Sequence, residues 1–239
     1  RDHGCDWSSD VCSSDLGARS AYQKANPNIS ISNAAQGSQQ WLDERKNLAT
    51  ASDATRVTNS DRARNTFVGE KAMENWGMTK TQPYPNKDIE RGHYLEDKIR
   101  KAYEKQTGTE ILELGLLQNK EFPGGASLDG LVTKDGEPTK RGVEFKAPRE
   151  FRDFAKYHEQ TQMQMAVANL DSVDIMQGVE VDGKLRTQMQ TVMKDDEWRK
   201  RNKDKVQQAQ DSIARNAAMT QEEFLARSEE HTSELQSQP

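Results

Sequence analysis

The sequence predicts an α/β fold in which a mixed β-sheet is layered with helices. Two observations carry that expectation. Residues 89 to 107 keep apolar side chains at helical spacing, whereas beyond them five short β-like runs are separated by Gly, Pro, Asn and Asp. These runs are ILELGLLQ, GASLDGLV, RGVEFKA, SVDIMQGVEV and LRTQMQTVM, with a helical stretch of about twenty residues, REFRDFAKYHEQTQMQMAVANL, between the third and the fourth. The order is therefore helix, three strands, helix, two strands, helix, with a charged terminal helix in DDEWRKRNKDKVQQAQDSIARNAAMTQEEFLA.

The two ends of the 239-residue chain stand apart from this pattern. DWSSDVCSSDL at 6–16 and RSEEHTSELQS at 227–237 are translations of one DNA segment read on opposite strands, which marks both as translated sequencing adapter. Residues 1–16 and 227–239 are expected to be disordered artefact, and the natural sequence is expected to be truncated at both ends. Cys5 and Cys12, the only cysteines, fall in the first of these stretches, so the rest excludes a disulfide framework or a thiolate metal site. It also suits a reducing, cytoplasmic setting. Basic and acidic residues balance outside the two ends, leaving a net charge near zero. No apolar run approaches the length that spans a bilayer.

Between the ends, residues 17–35 are small and polar and read as a loosely ordered lead-in, and residues 36–226 as a single domain. Trp41, Leu42, Arg45 and Leu48 have helical spacing, and Ser52 suits the N-cap of a second short helix. Residues 62–76 and 89–107 follow as helices; in the latter Tyr94, Leu95, Ile99, Ala102 and Tyr103 make one apolar face, and Gly108 is a stop.

The β-like runs contain an anomaly. On a strand Glu144 and Lys146 point to the same face, while Val143, Phe145 and Ala147 point to the other. Charges on a core strand cost several kcal/mol each unless they are paired or bind a metal. Asp129 stands one strand earlier, and a connection of about ten polar residues would let the two strands lie side by side, bringing Asp129 and Glu144 together. A divalent cation converts the repulsion of two carboxylates into coordination, and oxygen ligands favour Mg²⁺ or Mn²⁺. An ordinary surface Glu–Lys ion pair is the alternative for any isolated E-x-K.

The context of these residues resembles a known family. S-x-D-G followed about fifteen residues later by E-x-K-x-P is similar to the core of the PD-(D/E)xK nucleases, in particular the phage lambda exonuclease or YqaJ-type viral recombinase family. GSQQWLDERKNLATAS, RGHYLEDKIRKAYEKQTG and YHEQTQMQM resemble three further motifs of that family in the same order. The resemblance implies a restriction-endonuclease-like core and a Mg²⁺-dependent exonuclease. That enzyme would degrade one strand of duplex DNA 5′→3′ from a 5′-phosphorylated end, leaving 3′ overhangs for a single-strand annealing protein. It implies Asp129, Glu144 and the Phe145 carbonyl as metal ligands, Lys146 as the catalytic lysine and Glu96 as an auxiliary acid. Arg45, Ser52 and Ser127 match the positions that hold the 5′-phosphate, Ser52 being equally suited to its capping role. Gln160 matches the functional glutamine, which the resemblance places in contact with the phosphate or a metal-bound water, supported by Tyr157, whereas Gln162, Met163 and Met165 read as packing or surface residues. His93 and His158 read as exposed helix histidines. Leu128 stands where the family commonly has proline, and Ala147 where another small residue is usual. A homo-oligomer, in the form of a trimeric ring, is implied by the resemblance alone. The basic clusters Arg62 and Arg64, Lys98 to Lys101, and Arg199 to Lys205 are candidate DNA tracks. Another PD-(D/E)xK enzyme, such as an endonuclease or a repair or CRISPR-adaptation nuclease, remains an alternative, as does an inactive DNA-binding or phage structural protein.

Overall fold

Two Asp-Gly turns set the register of the larger sheet in the computed structural model, which describes residues 13–78 and 87–227. Asp135 and Gly136 have φ of 52° and 79°, and Asp182 and Gly183 have φ of 51° and 71°. Positive φ at both central residues is what a two-residue hairpin turn needs to match strand twist. The first turn joins β5 (Gly130–Lys134) to β6 (Glu137–Lys146), and the second joins β7 (Ser172–Val181) to β8 (Lys184–Met193). Most of the ten-residue connection expected between the Asp129 and Glu144 strands is thus itself strand.

The sheet order is β2-β5-β6-β7-β8, with β2 at Glu110–Leu112. Only β6 and β7 run parallel, and α6 (His158–Ala168) lies in the crossover between them, as a parallel pair requires. This is the mixed, helix-flanked sheet that the sequence predicts. One face packs on α5 (Lys87–Thr107), through Leu95, Ile99 and Tyr103 against Val132, Val143, Phe145 and Met176. Tyr94 departs from the predicted apolar face: it is 58% exposed, and its hydroxyl lies 2.6 Å from Lys98 Nζ. The opposite face, with Val173 and Ile175, packs on α6 and on α1 (Ser13–Ala25), while α7 (Asp196–Ala217) packs on β4 (Phe122–Ala126).

Two of the predicted runs divide. ILELGLLQ separates at Gly115 into β2 and β3 (Leu117–Asn119), and GASLDGLV into the end of β4 (Phe122–Ala126) and β5. A Cβ at Gly115 would collide with the Ser32 carbonyl, whose residue donates its N–H to Leu116 O at 2.9 Å. The strands β3 and β4 thereby leave the main sheet and pair with β1 (Ile29–Ile31) in a second, three-stranded sheet.

The expected loose lead-in is instead structured. Helix α1 (Ser13–Ala25) includes residues 13–16 of the first adapter-like stretch, so the disorder expected there does not hold for those four residues. Ala18 and Tyr22, one turn apart, are buried, and Tyr22 donates to the Ala168 carbonyl at 2.6 Å. Polar neighbours on the helix's other faces mask this short i,i+4 stripe in the sequence. Apart from Arg227, which is helical, the remainder of the adapter-like ends lies outside the described residues. The predicted twenty-residue helix is also shorter. It begins with a 3₁₀ turn at Phe154–Tyr157, capped by Asp153, and ends at Asn169 in the left-handed conformation. Among the described residues no helix is long and apolar enough to cross a membrane.

Candidate active site

Asp129 stands immediately before β5, and Gly130 is the register partner of Val143 on β6. That pairing sets Asp129 beside the strand segment of Glu144 and Phe145, and its Oδ2 accepts the Phe145 N–H at 2.6 Å. Glu144 is only 4% exposed. Its Oε1 accepts from Lys146 Nζ at 2.5 Å and from Gln160 Nε2 at 2.6 Å, and its Oε2 accepts from Gln164 Nε2 at 2.6 Å. The acid, acid and lysine therefore meet on one side of the sheet, as the alternation of β6 predicts.

The electrostatics follow from burial and like charge. Burial pushes the Asp129 carboxyl well above its usual range, and the adjacent Glu144 pushes it further, against the opposing Lys146 ammonium. Burial alone would lower Lys146, but the Glu144 and Asp129 carboxylates outweigh it and raise the lysine. Its Nζ also sits 5.5 Å from the centre of the Tyr157 ring. A polar cluster of two acids and one cation keeps an excess of negative potential.

A second cluster adjoins the first through Ser127, two residues before Asp129. Arg45, on α2 (Gln39–Lys46), directs its guanidinium to Ser127 Oγ at 3.4 Å, Thr50 Oγ1 at 3.2 Å and Ser52 Oγ at 3.0 Å. Its planar group stacks over the Trp41 ring at 4.1 Å, and Trp41 Nε1 donates to Ser127 Oγ at 3.2 Å. Burial lowers the Arg45 pKa from its very high ordinary value, while Asp53 and then Glu144 oppose that shift. The group remains a fixed cation. Three hydroxyls and one guanidinium converging on one place form a donor set suited to a phosphate.

Ser52 is not an N-cap. Thr50 takes that role for the 3₁₀ turn Ala51–Asp53, in a capping box with Asp53, and leaves the Ser52 hydroxyl to Arg45 and Thr50. Two glycines hold this segment against β4. Gly125 donates to Ala49 O at 2.9 Å and bridges to Thr50, and a Cβ at Gly124, where φ is 84°, would lie 2.5 Å from Ala49 O.

Gln160 reaches Glu144 directly, whereas Gln162 is a structural residue that donates to Met193 O and accepts from Asp195 N–H, both at 2.8 Å. Sequence reasoning missed Gln164 and Thr50. The signal for Gln164 was available in its i,i+4 spacing from Gln160, which puts both amides on one face of α6. Glu96 is not hydrogen-bonded to the acids or lysine among the described residues; it lies 4.0 Å from His93 Nδ1. Burial raises its pKa, against His93 and Arg100, and its charge raises that of Asp129. His93 is exposed as expected, while His158 is half-buried at the start of α6.

Of the basic clusters, Arg64 is buried against Val57 O and Asp61, and Arg100 is tied to Glu113 and the Asp129 carbonyl. Neither is a free surface charge.

Among the described residues no group of three or more His, Cys, Asp or Glu side chains surrounds a metal position. The acids form a pair, and a third protein donor would be the Phe145 carbonyl. The donor chemistry fits a hard cation: every candidate atom is oxygen, and the mutual repulsion that raises Asp129 is what a divalent ion relieves.

The fold and site together define a nuclease of the PD-(D/E)xK superfamily. The chain belongs to the YqaJ-like viral recombinase domain family, whose pattern it matches over residues 40–171. A search of curated proteins finds no match. Among solved structures, it is similar to an alkaline exonuclease, LHK-Exo, from Laribacter hongkongensis, with 22% identity and a TM-score of 0.64 over 82% of this chain and all of that one. The same protein in complex with dAMP gives 23% identity and the same TM-score and coverages. A phage-related exonuclease from Haemophilus somnus 129PT matches with 17% identity and a TM-score of 0.55, over 70% of this chain and 93% of that one. At these identities the likeness is one of fold.

Proposed function

We propose that the protein is a Mg²⁺-dependent 5′→3′ exonuclease that degrades one strand of linear duplex DNA from a 5′-phosphorylated end and leaves a 3′ overhang. The observation that carries this reading is the continuity of the two clusters. Ser127 completes the Arg45 cluster and precedes Asp129 by two residues, so a pocket for a terminal phosphate adjoins the acids. A nuclease that cuts internally has no use for such a pocket.

Asp129, Glu144 and the Phe145 carbonyl would hold the cation. When bound, Mg²⁺ (or Mn²⁺) supplies Lewis-acid polarisation of the scissile phosphoryl group and a lowered pKa for attacking water. Arg45 holds the terminal phosphate in a fork of N–H donors, with Ser52 and Ser127 completing its shell. Lys146, kept protonated by the carboxylates, acts as a cation that orients the attacking water and offsets charge developing on the phosphoryl oxygens. Gln160 fixes the Glu144 rotamer, Tyr157 supports Lys146 by its ring face, and Glu96 adds negative potential behind the acids. The product overhang suits a single-strand annealing protein, and a homo-oligomeric ring acting in the cytoplasm of a bacterial or phage-infected cell completes the reading.

The test is a linear duplex carrying a 5′-phosphate on one strand only, incubated with the full chain in Mg²⁺ or EDTA, beside Glu144→Ala. Loss of the phosphorylated strand alone, dependent on Mg²⁺ and absent in the variant, is the expected result. Internal cutting indifferent to the end would replace this reading with an endonuclease, and no cleavage by well-folded protein would replace it with a binding role.

A further inference from the structure

Among the described residues, Gln164 hydrogen-bonds to both halves of the site. It is fully buried on α6, and its Nε2 donates to Glu144 Oε2 at 2.6 Å and to the Ser127 carbonyl at 3.2 Å. Ser127 in turn presents its hydroxyl to Arg45 and Trp41. One amide nitrogen thus spans from the acid of the hydrolytic centre to the backbone of the residue that completes the phosphate pocket. Its Oε1 is buried with no donor among the described residues. Packing alone would be served better by Leu or Met, which strand no buried acceptor. The neighbouring Gln162 is the contrast: also buried, it has both amide atoms satisfied by backbone, at the end of β8 and the N-cap of α7.

Resting on the exonuclease reading above, we propose that Gln164 is a positioning residue that fixes the distance between the terminal-phosphate pocket and Glu144. Its two acceptors belong to different segments: Ser127 lies in the loop after β4, whereas Glu144 is in β6. A single donor shared between them converts two independently placed groups into one rigid unit, so that a phosphate seated on Arg45 and a cation seated on Glu144 each favour the geometry the other needs. Without it, either partner still binds, but binding of one no longer prepares the site for the other.

The experiment measures binding of a duplex with a 5′-phosphate or a 5′-hydroxyl end, in Ca²⁺ to suppress turnover or in EDTA, and separately Ca²⁺ affinity of the free protein. Wild type, Gln164→Leu, Gln164→Met and the control Gln162→Leu are compared, each with a thermal melt to establish folding. The expected result is that Ca²⁺ increases the preference for the 5′-phosphate in wild type and Gln162→Leu, and that this increase vanishes in both Gln164 variants. The Gln164 variants should also bind Ca²⁺ about tenfold more weakly, the usual scale for losing a partner that orients a metal ligand. A merely structural glutamine would lower the melting temperature and leave the coupling intact, which would overturn the proposal. If wild type ignores the 5′-phosphate, the exonuclease reading falls. In that event a tenfold loss of Ca²⁺ affinity confined to the Gln164 variants still supports the hold on Glu144, and unchanged affinity overturns it.

Discussion

Glu144 and Asp174 stand on adjacent parallel strands, are both almost fully buried, and face opposite sides of the same sheet. Asp174, 0% exposed, accepts from Tyr103 Oη at 2.7 Å and Thr191 Oγ1 at 2.6 Å, with Arg141 Nη1 at 3.4 Å. These donors come from α5, β8 and β6, and among the described residues none of its bonded partners is a second acid. Glu144 is equally well hydrogen-bonded, yet it shares its site with Asp129, which burial and that proximity push upward. Burial of an acid does not distinguish a functional site from a structural one. What sets the Glu144 site apart is a second carboxylate beside the first.

The sharpest way to break this comparison is to neutralise each acid in turn. Glu144→Gln should lower Mg²⁺-dependent cleavage on the order of a thousandfold, with the melting temperature little changed. Retained activity would put the hydrolytic centre elsewhere. Asp174→Ala should do the reverse, costing about 2 kcal/mol in urea unfolding because it leaves the buried Tyr103 hydroxyl without its acceptor and removes the bonds from the half-exposed Arg141 and from Thr191, while the rate per folded molecule stays the same. Arg45→Ala should leave both the sheet and the acids in place and reduce the preference for 5′-phosphorylated ends about thirtyfold, the scale of one lost charged hydrogen bond. Competition between the two end types in one tube reads this directly.

The smallest effect concerns Tyr103. Burial pushes its phenol well above the ordinary value, and the bond to Asp174 adds to the shift, so the fold favours the protonated ring. Stability from this source is complete below the unfolded phenol's pKa of about 10, and it is lost as pH rises beyond that toward the folded value. Tyr103→Phe should cost about 1 kcal/mol at neutral pH and flatten the alkaline loss. Melts at neutral and strongly alkaline pH compare the two slopes.

The meeting of Asp129, Glu144 and Lys146 was legible because strand alternation is a local rule, whereas the Asp-Gly turn that makes most of the expected polar connection into strand went unread. Charges written into an apolar strand announce themselves. The second sheet was not legible: its division from the first depends on Gly115 passing the Ser32 backbone, a contact between segments distant in sequence. The role of Ser52 was ambiguous for a related reason, since Thr50 and Ser52 both have capping side chains and only the capping box with Asp53 decides between them. Gln164 was hidden by its neighbours, because a helix carrying glutamines at 160, 162 and 164 offers two different faces, both Gln162 and Gln164 are buried, and only the packing of the helix on the sheet decides which of them meets Glu144. The α1 helix was missed because two buried side chains in a polar segment give too weak a periodicity.

The glycine at 124 carries a consequence for reading diverged relatives. The loop that bears Thr50 and Ser52 rests on β4 without a side chain between them, so the clearance is that of backbone on backbone. A descendant with a bulkier residue there would keep its acids and lysine, and a motif search would score it as intact. Its loop would nonetheless ride higher, out of step with Ser127. On the function proposed above, such a protein would still hydrolyse phosphodiesters but would lose the gauge by which it recognises where a strand begins.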